Sequence, residues 1–250
     1  MSKILVIADV HGNAEALAAV LRQETDANAV LFLGDAVLSG PQPNETIALL
    51  QELSGIHIMG NHDLELLDPS LFAGWPPQWK ALNQWILEKF DPSGYEFIRK
   101  LRPAGEYRLE NISMYLQHGV LPGSARNALP DSSDERLLLL AQGSRSPYVL
   151  FGHSHIQFDR VVGEQQFINP GSVGQNRCGK CLACYGVFED EIFEHRQIGY
   201  DVKPWLDAMD QVSTLDEYPD FRAWLKQGLI SGYGIGQVEP WTRFAAEGYS

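Results

Sequence analysis

Val30-Leu-Phe-Leu-Gly-Asp35 is the stretch from which the fold is read: five apolar or small residues followed by a single carboxylate. A run this short, bounded, and β-branched or aromatic predicts a strand buried on both faces. Asp35 then stands at its carboxyl end, where open α/β sheets bind ligands. The same grammar recurs at Ile4 to Asp9, Ile56 to Asn61, Met114 to His118 and Val149 to His155. One polar strand end is ordinary, because such residues also cap helices and open turns. Five such ends in one chain point to a shared site.

Outward from that strand, Ala16, Leu17, Val20 and Leu21 carry helical spacing within Asn13 to Glu24, with Asn13 as N-cap. Residues 3 to 35 therefore form a β-α-β unit, whose right-handed crossover brings Asp9 and Asp35 to one sheet edge. A turn at Gly40-Pro41 leads to a helix over Asn44 to Leu53, and a third strand delivers Gly60-Asn61-His62-Asp63. Residues about 64 to 105 break the rhythm as a helical insertion. Trp75, Trp79, Leu82, Ile86 and Phe90 recur at helical steps after Pro76-Pro77. Such a helix packs on the sheet's outer face with its tryptophans in the core or forms a lid; the burial habit of aromatic stripes favours the first. The second half reads as strands at Glu106 to Leu109, Ile112 to His118, Tyr148 to His155, Ile156 to Val162, Gln165 to Asn169 and Tyr185 to Arg196, with a helix at Asp134 to Gln142. An α/β fold of two packed sheets with helices outside follows. Residues 1–200 form the core and 201–250 a C-terminal extension of the same domain. The extension holds helices at Pro204 to Met209 and Phe221 to Gln227, then Gly232, Gly234 and Gly236, read as a loose tail rather than a nucleotide loop.

Composition narrows the function. A net charge of -13 argues against non-specific binding to duplex nucleic acid. No apolar run reaches the roughly eighteen residues a membrane span needs. Met1 to Val10 reads as a strand rather than a signal peptide, which predicts a cytoplasmic protein. Cys178, Cys181 and Cys184 crowd one segment, unlike a secreted disulfide framework. They lack a fourth metal ligand unless His195 supplies one, and are read as incidental thiols in a loop.

Asp9-Val10-His11, Gly34-Asp35, Gly60-Asn61-His62-Asp63, His118 and Gly152-His153-Ser154-His155 combine oxygen and imidazole donors, which favours Mn, Fe or Zn over Mg or Ca. His153 and His155 face one side if strand-like, and Asp9 and His11 do likewise. In order and spacing these blocks resemble the calcineurin-like metallophosphoesterases from about Met1 to Ile198, with Asn169-Pro170-Gly171-Ser172 matching a bacterial phosphodiesterase-like branch. The resemblance implies a four-layer α/β/β/α sandwich of two mixed β-sheets flanked by helices. It implies two divalent metal ions (Mn, Fe or Zn), one held by Asp9, His11 and His155, the other by Asn61, His118 and His153, with Asp35 shared between them. A hydroxide bridging the metals would attack phosphorus, His62 would protonate the leaving oxygen, and Asp63 would orient His62. Arg177 is either a phosphate clamp or a surface ion-pair residue. The implied activity is hydrolysis of small phosphoesters, nucleotide-derived ones included, diesters first. Monoesters, phosphoproteins and dinucleoside polyphosphates are the alternatives, and a non-catalytic interaction scaffold is the alternative of another class.

Overall fold

Side-chain alternation along the first strand sets the layering in this computed structural model, which describes residues 3–121 and 127–250. The chain runs β1 (Lys3–Ile7), α1 (Ala14–Gln23), β2 (Ala29–Phe32), α2 (Pro43–Gln51), β3 (Gly55–His57), α3 (Asn61–Leu67), α4 (Pro77–Lys89) and α5 (Pro92–Arg99). It continues through β4 (Gly105–Leu109), β5 (Ile112–Leu116), α6 (Asp134–Ala141), β6 (Tyr148–Leu150), β7 (Gln157–Val162), β8 (Gln165–Pro170), β9 (Ala183–Glu189) and β10 (Ile192–Ile198). Three helices close it: α7 (Lys203–Asp210), α8 (Pro219–Ser231) and α9 (Trp241–Ala246).

Among the described residues the strands form two five-stranded mixed sheets, ordered β10-β9-β1-β2-β3 and β4-β5-β6-β8-β7. In the first, β1, β2 and β3 run parallel and β9 returns antiparallel to β1; in the second, β5, β6 and β8 are parallel between antiparallel edges. Ile4, Val6, Leu31 and Leu33 face the second sheet and pack on Met114, Leu116, Leu150 and Ile168. The intervening Leu5, Ile7, Val30 and Phe32 face outward, against residues of α1, α2, α4, α7 and α8. On the other side, Val149, Phe151, Phe158 and Phe167 pack against α6 and α9. This period of two explains why the strands read as continuous apolar runs: both faces are buried. The result is the α/β/β/α sandwich.

Three local expectations are revised. The strands stop short of the polar residues: β2 ends at Phe32, three residues before Asp35, and β6 at Leu150, before His153 and His155. In the insertion, α4 buries Leu82 and Ile86 as its stripe requires, while Trp75 and Trp79 are only half-buried. The glycine-rich end is not a loose tail. Gly179 N–H donates to the Gly232 carbonyl (2.9 Å), Gly234 N–H donates to the Asn176 carbonyl (2.8 Å), and Trp241, Phe244 and Ser250 are buried. Gly232 holds a left-handed φ of 70° where a Cβ would lie 2.3 Å from the Lys180 backbone, so its role is close packing of the tail. No described helix is long and apolar enough to cross a membrane.

Candidate metal centre

The loops that leave β1 and β2 are stitched side by side. Asp9, Val10, His11 and Gly12 donate their N–H groups to the carbonyls of Gly34, Asp35, Asp35 and Ala36 at 2.9 to 3.1 Å. The stitching holds an uncommon backbone: Asp9, His11, Asp35, His153 and His155 all have positive φ, between 47° and 67°. Each such residue costs about 1–2 kcal/mol relative to ordinary geometry and persists only where its surroundings fix it. It replaces the strand-like arrangement expected for the Asp-x-His and His-x-His pairs. Gly34 makes the approach possible, since at its φ of 100° a Cβ would lie 2.5 Å from Gly60 N.

Three imidazoles are fixed from behind. Nδ1 of His11, His118 and His155 lies 2.9, 2.8 and 2.6 Å from the carbonyls of Leu38, Leu33 and Gln175. Each can accept only an Nδ1–H, so the Nε2 lone pairs turn toward the common centre, the arrangement of metal-ligating histidines. There His11 Nε2 is 3.2 Å from His155 Nε2, His155 Nε2 is 3.3 Å from Asp9 Oδ1, and His118 Nε2 is 3.0 Å from Asp35 Oδ2. Donors about 3.0–3.4 Å apart fit the edges of a coordination polyhedron with bonds of about 2.1 Å. Asp35 Oδ2, Asn61 Oδ1 and His118 Nε2 are buried without a hydrogen-bond partner among the described residues, which a bound cation would repair. The residues therefore fit a metal. Asp9, His11 and His155 form one donor group, and Asp35, His118 and His153 another. Asp35 Oδ1 accepts the His62 N–H (2.9 Å), leaving Oδ2 also 3.8 Å from His11 Nε2. His153 donates its own N–H to Asp9 Oδ2 at 3.0 Å.

Burial and the neighbouring imidazole or guanidinium cations lower the His11 and His153 pKa values to about 3, which keeps both neutral and ready to bind. His118 goes the other way. Burial alone would lower it, but Asp35 and Asp9 raise it to about 10, a charge deficit that a cation would fill in place of the proton. Burial favours neutral Asp35, yet His118 and His62 hold it well below the ordinary carboxylate range.

His62 begins α3 with Nε2 4.0 Å from Asp35 Oδ2 and Nδ1 2.7 Å from Glu65 Oε2, an ion-pair contact rather than an aligned hydrogen bond. Asp63 does not touch the imidazole. Its carboxylate accepts the N–H groups of Asp35, Ala36 and Gly60 at 2.8 to 2.9 Å, bracing the loop that carries Asp35. The orienting role expected of Asp63 falls geometrically to Glu65, which sequence reasoning missed although its spacing of three on a helix is a readable signal. Trp75 was also missed as a site residue; its ring meets His62 edge-on at 5.3 Å.

Arg177 reaches the centre, with Nη2 3.4 Å from His155 Nε2 and its guanidinium carbon 5.0 Å above the Trp241 ring. Cys178 and Cys181 share the loop that carries Arg177, and Cys184 lies in β9. Burial pushes Cys178 up to about 11 and Cys184 to about 12, so both are thiols at neutral pH, and Cys184 Sγ accepts from Asn176 Nδ2.

Two packed sheets with Asp and His donors converging beyond their strand ends define a protein built around a candidate metal centre. The chain belongs to the calcineurin-like phosphoesterase superfamily, whose domain model matches residues 2–190, and it is a hydrolase of phosphoric esters. It is 28% identical over 223 residues to uncharacterized protein MJ0912 of Methanocaldococcus jannaschii, covering 81% of this chain and 89% of that one. Among solved structures it is similar to a metallophosphoesterase from Sphaerobacter thermophilus, with TM-score 0.70, 22% identity, and 92% of this chain and 99% of that chain covered. It is also similar to hypothetical protein PH1004 from Pyrococcus horikoshii, with TM-score 0.76, 19% identity, and coverage of 95% and 100%.

Proposed function

We propose that the chain hydrolyses small phosphodiesters at a two-metal centre. Asp9, His11 and His155 would hold one ion, Asn61, His118 and His153 the other, and Asp35 both. The observation that carries this reading is Asp35 Oδ2, a buried and unpartnered oxygen lying 3.0 Å from a donor of one group and 3.8 Å from a donor of the other. A pair of divalent ions in such a setting acidifies water and polarises the phosphoester.

The chain's own groups supply the rest. Arg177, beside His155, binds a non-bridging phosphate oxygen. His62, protonated, gives its Nε2 proton to the departing oxygen, a contribution of about 10²- to 10⁴-fold. Glu65 holds the imidazole by its Nδ1 edge. Asp63 fixes the Asp35 loop. Two features support a diester over a monoester. Arg177 is the one described guanidinium or ammonium in contact with the donor cluster, suited to a single negative charge. The half-buried indole of Trp75 offers an apolar neighbour to the second substituent where His62 meets the leaving group. Net charge of -13 disfavours a long polyanion as substrate.

A substrate panel tests the proposal: aryl phosphodiester, aryl phosphomonoester, cyclic nucleotide and dinucleoside polyphosphate with Mn²⁺, each against His62→Ala. Diester turnover that drops by about 10²-fold or more in the variant is expected. Equal rates in wild type and variant would remove His62 from the mechanism. Turnover of monoesters alone would overturn the diester assignment.

A further inference from the structure

We propose that Trp241, from the C-terminal extension, is a positioning residue that holds Arg177 against the phosphate subsite, so that the extension completes the catalytic site. The inference rests on the reading of Arg177 as a phosphate-binding group.

Arg177 is an unusual half-buried cation. No described carboxylate forms an ion pair with it, and its Nε is buried without a hydrogen-bond partner among the described residues. A guanidinium placed this way is costly unless an anion joins it. The metal donors lie on one side, where Nη2 is 3.4 Å from His155 Nε2. On the other side is the face of Trp241, 5.0 Å from the guanidinium carbon. An indole face attracts the cation without consuming any of its N–H donors, which leaves those not turned to His155 free for phosphate oxygens. A carboxylate in that place would have claimed them.

The loop that carries Arg177 is tied to the same C-terminal segment. The Asn176 carbonyl accepts from Gly234 N–H at 2.8 Å, and Gly179 N–H donates to the Gly232 carbonyl at 2.9 Å. Lys180 Nζ donates to Ser250 Oγ at 2.6 Å. One residue before Arg177's neighbour Asn176, the Gln175 carbonyl orients His155 through Nδ1. Trp241 is 5% exposed and seated among the aromatic residues on the outer face of the second sheet, where packing holds its ring. It also lies outside residues 2–190, the span of the family domain. This chain thus borrows from beyond that domain the support for a residue inside it.

The test is calorimetric titration of inorganic phosphate into full-length, Mn²⁺-loaded protein, with thermal melting as a control for folding. Trp241→Leu, which removes the ring face, is expected to weaken phosphate binding about tenfold, equivalent to about 1.4 kcal/mol. Trp241→Phe, which keeps a face, should recover most of that loss. In an Arg177→Ala background, Trp241→Leu should weaken binding no further, because Trp241 acts only through the guanidinium. If Trp241→Leu does not fold, Trp241→Phe carries the test: the weaker phenyl face should lower phosphate affinity about twofold in the Arg177 protein and not at all in an Arg177→Ala background. Unchanged affinity in Trp241→Leu, or an equal loss with and without Arg177, would overturn the proposal. Because the readout is binding, the role of Trp241 survives even if no substrate in the panel is turned over. Conversely, full turnover without coupling between the two residues removes the role and leaves the activity.

Discussion

Replacing Glu65 by Gln separates the two carboxylates that follow His62. Glu65 Oε2 lies 2.7 Å from His62 Nδ1, with the two side chains only 14% and 17% exposed. An ion-pair contact of this kind contributes about 1 kcal/mol, more as it is withdrawn from water, and a neutral amide in its place forfeits that charge term. The difference of about 1–1.5 kcal/mol predicts a loss of roughly tenfold in rate where proton donation limits it. That is smaller than the roughly 10²- to 10⁴-fold expected for losing the imidazole itself.

The pH profile carries the sign. Burial alone would lower the His62 pKa, but Asp35 and Glu65 raise it above the ordinary histidine value. A general acid works below its pKa, so activity falls as pH rises through it. Glu65→Gln lowers that pKa and moves the alkaline fall-off to lower pH. Rates measured on aryl diesters with graded leaving groups should show the defect growing as the leaving group becomes more basic. Asp63→Asn should behave differently. It places an amide N–H against one of three backbone donors, destabilising the Asp35 loop by about 1–3 kcal/mol. Its effect belongs in melting temperature and metal content, with the alkaline limb unmoved. An unchanged limb in Glu65→Gln together with a displaced one in Asp63→Asn would refute the assignment of the orienting role.

Asp35→Asn keeps the acceptor for His62 N–H but removes the charge from the shared oxygen, so metal content measured by elemental analysis should fall at both sites while the circular dichroism stays folded; full occupancy would count against sharing. Gly34→Ala forces a side chain into a φ of 100° and a 2.5 Å approach to Gly60 N, which should cost about 3 kcal/mol in denaturant unfolding; a cost under about 1 kcal/mol would show that the loops can part. Glu24, whose side chain is 1% exposed, accepts from Lys3, Arg196 and Tyr185, and removing its charge in Glu24→Gln should destabilise by about 3–5 kcal/mol. Burial opposes ionisation of Glu24, but these partners depress its pKa, so its contribution is present above the ordinary carboxylate range and lost as pH falls through the folded value. Wild-type melting should therefore drop below about pH 4 more steeply than that of Glu24→Gln, and parallel curves would contradict the linkage.

The layering was legible because it is periodic. Val30 to Leu33 alternate between two cores, and a run buried on both faces is apolar at every position. Asn13 was readable as a cap for the same local reason, its side chain accepting the Ala16 N–H at 3.1 Å. What escaped were features made by contacts remote in sequence. Asp63 and Glu65 are both acidic and both near His62, and which of them meets the imidazole depends on the Asp35 and Ala36 N–H groups, which capture Asp63 first. Trp241 stands 64 positions after Arg177 and carries no pattern that announces the contact. The tail's glycines were misread because their partners, Asn176, Gly179 and Lys180, lie in a loop with no regular structure of its own.

The left-handed residues are the deepest of these omissions, and they bear on how the centre works. Asp9, His11, Asp35, His153 and His155 together store about 5–10 kcal/mol of backbone strain. The residue types give only a weak signal: Asp and His enter this region more readily than most side chains, but glycine is its usual occupant. The strain is sustained by groups behind the donor cluster: the stitched loops 9–12 and 34–36, the three carbonyls behind the imidazoles, and the carboxylate of Asp63. A flexible loop would order only when it bound the ions and would spend binding energy doing so. Here the ordering is supplied by folding, and the donors are aimed before any ion binds. Substitutions in that backing layer should therefore weaken metal binding without touching a ligand, by about 10- to 100-fold where an imidazole loses its orienting partner.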